Sequence, residues 1–148
     1  MNVDKEYKIA FAGLPLGNND FHFHVSDDFF ECFDYGEVNK GRVAIDVILI
    51  KEETMLVLEL ALSGMVELVC DRCAHPMKYQ VKGNNHLIVK FTEKECSYTE
   101  EIILLKRDEG VLHLAQNIYE FIYLRNLEGR HNACMINEYC KDYILITK

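Results

Sequence analysis

The residues of this chain with the clearest capacity for chemistry are two groups of cysteines. Cys70 and Cys73 form a C-x-x-C pair directly after an apolar segment, and Cys134 and Cys140 follow near the C-terminus. Two thiolates at this spacing can face one metal ion, and a distant second pair can complete a tetrahedral zinc site. We therefore predict Zn²⁺ ligands at Cys70, Cys73, Cys134 and Cys140. His131 is the alternative ligand, because His131-x-x-Cys134 is more tightly spaced than Cys134 and Cys140.

The C-x-x-C pair has two other interpretations. A thiol-redox protein using Cys70 and Cys73 needs a helix N-terminus to lower the pKa of the first thiol. The following residues, Ala74 to Tyr79, instead predict a turn and then a strand, which weakens the redox hypothesis. In the third interpretation the two thiols are small residues packed at a strand end, in a metal-free protein-interaction module. All three interpretations stay open.

The remaining reactive residue types give weaker signals. Cys32 and Cys96 have no close partner in the sequence, so we expect ordinary buried or loop thiols. His22 and His24 share one strand face and are capable of binding metal, but their alternation with phenylalanines favours an exposed polar face. The sequence contains no nucleophile elbow, zinc-protease helix, P-loop or dinucleotide-binding fingerprint. We therefore predict no catalytic residues.

Length and composition indicate one folded unit. The chain has 148 residues, 49% hydrophobic and 27% charged, and we predict a single domain over 1–148. Its β-rich part covers 1–92, and a loop, a helix and a cysteine-bearing tail cover 93–148. No apolar run approaches the roughly 20 residues that span a bilayer, and the N-terminus lacks the features of a secretory signal. We expect a cytosolic protein, in which disulfides are disfavoured.

The net charge restricts the class of partner. At −8 the chain repels a phosphate backbone on average, so direct RNA or DNA binding is disfavoured unless its 16 basic residues gather on one face. A basic protein, or a ribosome-assembly particle rich in basic proteins, fits this charge better. The sequence therefore predicts a basic partner and leaves direct RNA contact open.

The hydrophobic pattern predicts mostly strands. Alternation predicts strands over Tyr7–Ala12 and Phe21–Val25, a short helix after Ser26, and long strands from residue 41 to Cys70 with a bend at Ser63-Gly64. Further strands flank a predicted turn at residues 83–85. A charged loop is expected over 93–110, with an apolar patch at 102–105, and a long helix over 112–124. The predicted fold class is α+β, a mainly antiparallel β-sheet or partly open barrel with one long C-terminal helix and a short N-terminal helix.

Three stretches carry a family resemblance: the apolar strand running into Cys70-Asp71-Arg72-Cys73, the segment Leu112–Ile122, and the cysteine-bearing segment after it. In these the chain resembles the YceD family (domain of unknown function 177). The resemblance implies a bacterial cytosolic accessory factor, rather than an enzyme, needed for accumulation of large-subunit ribosomal RNA. It implies a large-subunit precursor or a basic ribosomal or assembly protein as partner, without membrane or DNA. Arg72, Arg125 and Arg130 are then candidate RNA contacts.

Overall fold

The computed structural model describes residues 7–32, 38, 40–69, 76–99 and 101–123. Strands account for 61% of them, with two short α-helices and one 3-10 turn. The strands are β1 (Lys8–Ala10), β2 (Gly17–Val25), β3 (Lys40–Lys51), β4 (Met55–Val69), β5 (Pro76–Phe91), β6 (Ser97–Tyr98), β7 (Ile102–Leu105) and β8 (Val111–His113). The helices are α1 (Asp27–Glu31) and α2 (Ala115–Ile122), and the 3-10 turn covers Arg107–Glu109.

Six of the strands form one sheet in the order β2-β3-β4-β5-β7-β6. Its neighbours are antiparallel except β5 and β7, which are parallel. The centre of the sheet is made by β3, β4 and β5, with 12, 15 and 16 residues. A separate two-stranded sheet pairs β1 with β8.

One face of the large sheet forms the core. The inward side chains of β3 and β4 are almost all aliphatic and buried, and those of β5 include the buried Val81, Leu87 and Val89. Phe11 lies 5.7 Å from Phe91 of β5, and Phe29 of α1 lies 6.5 Å from Tyr119 of α2, between ring centroids. Among the described residues, the helices and the β1–β8 pair therefore cover the inner face, and no other described element covers the outer face.

The predicted bend at Ser63-Gly64 is wrong, because both residues lie inside the continuous strand β4. Gly64 of β4 is opposite Val43 of β3, and a Cβ on Gly64 would come 2.6 Å from the Val43 Cα. Only glycine allows the two backbones to approach this closely. The predicted helix after Ser26 is confirmed as α1, which buries Phe29 and Phe30.

The predicted turn at residues 83–85 is wrong. These residues continue β5, with Gly83, Asn84 and Asn85 opposite Leu62, Ala61 and Leu60. The physical reason is the unbroken two-residue period, which places every odd-numbered residue of β5 on the inner face. Register with β4 outweighs the turn preference of Gly-Asn-Asn.

The predicted fold class is also wrong. The described chain is mostly β-sheet, and the large sheet is open, with β2 and β6 at its edges. The expected long helix over 112–124 is an eight-residue helix, because Val111–His113 pairs with β1 as a strand. The Leu114 N–H donates to the carbonyl oxygen of Tyr7 at 2.8 Å, and the helical spacing of apolar residues begins only there. The expected loop over 93–110 contains β6 and β7.

Candidate functional site

The predicted zinc ligands lie outside the described residues. This holds for Cys70, Cys73, Cys134, Cys140 and the alternative His131. The described strand pairing next to the C-x-x-C pair in the sequence ends with Val69 of β4 opposite Pro76 of β5. The position of Cys70 and Cys73 and the full ligand set stay predictions.

The other candidate metal and thiol residues fall on exposed positions. His22 and His24 lie on the open face of β2, as the alternation predicted. Cys32 and Cys96 are exposed free thiols, whose sulfurs lie 3.4 Å from the Asp28 carbonyl oxygen and 3.7 Å from a Glu109 carboxylate oxygen. Within the described ranges, no three His, Cys, Asp or Glu side chains are arranged to hold a metal ion.

The outer face of the large sheet divides by charge along its strands. It carries the even-numbered residues of β3 and β5 and the odd-numbered residues of β4. Cations occupy the end where Val69 pairs with Pro76, histidine–carboxylate pairs occupy the middle, and aliphatic residues occupy the opposite end. Each zone combines side chains from strands that are distant in sequence but adjacent in register.

The cationic end of this face, which we name the basic end, consists of Lys40, Arg42, Lys78 and Lys82. Lys40 lies opposite Glu67, which in turn lies opposite Lys78, and all four cationic side chains are exposed. From ordinary strand spacings the four side chains cover roughly 10 by 13 Å. A cavity of about 320 Å³ lies among three of these cations.

The four cations of the basic end are free to engage an outside anion. Within the described part of the chain, none of their side chains makes an ion pair or a hydrogen bond. Two other basic residues are used internally: the Lys51 ammonium donates to the carbonyl oxygens of Phe11 and Leu14 at 2.9 and 2.7 Å. Arg107 lies over the Phe91 ring at 4.6 Å.

Apolar side chains share this end of the face. Met65 is 44% exposed between Arg42 and Gln80, and it lines the same cavity as three of the cations. Two carboxylates, Glu67 between Lys40 and Lys78 and Asp27 of α1, line the same cavity and reduce the local net charge. A patch of this composition can hold phosphates while offering an apolar contact beside them.

The middle of the face holds two histidine–carboxylate pairs. His22 Nδ1 lies 2.5 Å from a carboxylate oxygen of Asp46, and His86 Nδ1 lies 4.0 Å from Glu59. Small side chains around Ala61 leave two adjoining shallow cavities of about 330 and 200 Å³. All four side chains are more than two-fifths exposed. They therefore lack the water-excluded surroundings that are typical of acid–base catalytic residues.

Sequence reasoning missed the basic end. The cations lie on β3 and β5 at even-numbered positions, 40, 42, 78 and 82, and this shared parity within each strand is a signal that the sequence contains. The cations of β3 and β5 lie on one patch because β4 pairs with both strands in a defined register. The sequence alone does not predict that register. The proposed RNA contacts Arg72, Arg125 and Arg130 lie outside the described residues.

Comparisons with protein-family models, with curated proteins and with solved structures found no match to this chain. The resemblance to the YceD family therefore stays a prediction. Separately, the helices in the described ranges are all too short to cross a membrane.

Proposed function

We propose that the protein is a non-enzymatic accessory factor in biogenesis of the large ribosomal subunit, acting in the cytoplasm on large-subunit RNA or its assembly particle. The proposal includes a structural zinc ion on the four cysteines, with no redox or other catalytic role. It follows from the family resemblance and from the absence of catalytic motifs in the sequence.

The observation that carries the proposal is the basic end. A net charge of −8 disfavours RNA contact unless cations gather in one place. Four cations without a partner among the described residues do gather, across two strands of one face. Because phosphate neutralisation by Lys and Arg supplies most non-specific RNA affinity, this patch is where we place the RNA backbone.

The first test measures RNA affinity against salt concentration. We expect the variant Lys40→Gln, Arg42→Gln, Lys78→Gln, Lys82→Gln to bind a structured large-subunit RNA fragment at least ten-fold more weakly in fluorescence anisotropy. Each lost phosphate contact lowers the slope of log K against log salt by about 0.7–0.9, so the slope should fall by about three.

The matched control removes the same number of charges elsewhere. The control variant changes four exposed lysines away from the basic end to Gln: Lys8, Lys90, Lys94 and Lys106. This variant should retain most of the RNA affinity of the unaltered chain. Equal losses in both variants would mean that RNA responds only to net charge. In cells, only the control should restore normal large-subunit profiles to a deletion strain, and a deletion strain with normal subunits would refute the proposal.

A further inference from the structure

At the end of the outer face opposite the basic end, aliphatic side chains are open to solvent. Ile50, Val57, Ile88 and Ile102 lie in register across β3, β4, β5 and β7. Ile102 is 40% exposed, and Ile50, Val57 and Ile88 are half-buried. Ile48, 37% exposed, and the half-buried Leu104 extend this row on its two sides, and we name the six residues the aliphatic strip.

The strip is larger than isolated exposed apolar residues. Three steps between neighbouring strands give it a length of about 14 Å, which equals about nine or ten residues of an α-helix. A contiguous apolar surface with a polar rim is typical of a protein-binding site. The same face carries no comparable row at the basic end, where Met65 is the exposed apolar residue.

The rim of the strip determines the charge of its partner. Ile48 lies directly between Asp20 on β2 and Glu59 on β4. Asp20 has no side-chain hydrogen bond or ion pair within the described residues, and Glu59 has only the 4.0 Å contact with His86. Glu101 precedes Ile102, whereas the exposed lysines Lys90 and Lys106 lie near Leu104 at the other side of the strip. The rim is therefore acidic along Ile48 and Ile102, and this side complements a positively charged partner.

We propose that the aliphatic strip binds a basic amphipathic helix of a partner protein. The apolar side of that helix covers Ile48, Ile88 and Ile102, and its lysines or arginines face Asp20 and Glu59. This inference rests on the proposed function, because a ribosome-assembly particle supplies basic protein segments. The two ends of one face then hold RNA and protein at the same time.

The test uses the full chain and a labelled 14-residue helical peptide with leucines on one side and lysines on both flanks. The control peptide carries glutamate in place of each lysine. We expect the lysine peptide to bind at least ten-fold more tightly, with the preference falling as salt rises. Equal binding of both peptides, or no binding of the lysine peptide, would overturn the proposal.

Variants locate the peptide on the strip. Ile48→Ser with Ile102→Ser should weaken binding at least ten-fold, and Asp20→Asn with Glu59→Gln should weaken it about three- to five-fold. Leu16→Ser is the matched control, because Leu16 is 61% exposed but lies outside the strip, and it should bind as the unaltered chain does. If the variant with Ile48→Ser and Ile102→Ser fails to fold, the variant with Asp20→Asn and Glu59→Gln still tests the proposal.

A second copy of the chain is the competing occupant. Sedimentation velocity that shows a dimer, dissociated by Ile102→Ser, would assign the strip to self-association and overturn the proposal. The RNA assay separates the two proposals, since strip variants should keep full RNA affinity and basic-end variants should keep full peptide affinity. Peptide binding without RNA binding would refute the proposed function alone, and the reverse would refute this inference alone.

Discussion

At the residue scale, Lys51 and Gly64 determine how neighbouring segments pack against β3, the strand that contributes to both the basic end and the aliphatic strip. Lys51 reaches from the end of β3 to three carbonyl oxygens of the segment after β1, those of Phe11, Ala12 and Leu14. Hydrogen bonds from a charged donor are stronger than neutral ones, so this lysine fastens the segment between β1 and β2 to the large sheet. Gly64 contributes through the lack of a side chain, because this allows the backbones of β3 and β4 to approach closely.

Gly64→Ala should be strongly destabilising. Its Cβ would collide with the Arg42 carbonyl oxygen and lie 2.6 Å from the Val43 Cα, and backbone atoms cannot move aside as side chains do. We expect the free energy of unfolding in urea to fall by about 3 kcal/mol, the upper part of the range for overpacking. Gly13→Ala is the control, because nothing lies within 4 Å of its Cβ position, and it should change stability by less than about 1 kcal/mol. Equal effects would contradict the close approach.

At the element scale, β5 is the strand that joins both binding zones. It contributes Lys78 and Lys82 to the basic end and Ile88 to the aliphatic strip, and its middle, where a turn was predicted, is paired with β4. A turn at residues 83–85 would reverse the direction of the chain, so that residues 76–82 and 86–91 would form two separate strands. The two zones therefore share one face because β5 is continuous.

Asn84 tests that continuity. Asn84 is exposed within β5, opposite Ala61, so Asn84→Thr should raise the free energy of unfolding by up to about 1 kcal/mol, because threonine favours strands. Asn84→Gly should lower it by a similar amount. The opposite order, with glycine tolerated and threonine destabilising, is the outcome expected of a turn and would contradict the strand.

The same elements show what a sequence can and cannot predict. Alternation over Phe21–Val25 and the phenylalanines after Ser26 indicated β2 and α1 correctly, because those signals are local. The helix predicted from residue 112 overlaps β8, because the partner of that strand, β1, lies far away in the sequence. The basic end and the aliphatic strip depend on register among β3, β4 and β5, and alternation predicts which face a residue occupies but not its neighbours across the sheet.

At the scale of the whole molecule, the outer face is electrically polarised, with cations at one end and carboxylates toward the other. If the proposed function holds, an approaching ribonucleoprotein meets a surface that favours one orientation, because each end attracts a component of opposite charge. Steering of this kind weakens with ionic strength. The −8 net charge therefore describes the partner less well than the distribution of charge over this face does.

The zinc proposal is also tested on the whole chain. We expect elemental analysis of protein purified without added metal to find one zinc per chain, with zinc lost in both Cys70→Ser and Cys134→Ser. Thermal unfolding temperatures should fall in the same variants, because structural zinc binding contributes to folding. Cys32→Ser is the control, since Cys32 is an exposed free thiol outside the proposed ligand set. A chain purified without zinc, or zinc retained by both variants, would remove the metal from the proposal.

The pairing of β1 with β8 has a consequence for synthesis of the protein. The strands β2 to β5 form a meander of neighbours, so they can associate as the polypeptide emerges. In contrast, β1 cannot pair until His113, the partner of Lys8, has been synthesised. Until that residue has left the translating ribosome, β1 is unpaired and the side chains of Ile9 and Phe11, which are buried in the folded chain, are exposed to solvent. Nascent chains halted before position 113 should therefore be cleaved readily by proteases near their amino terminus.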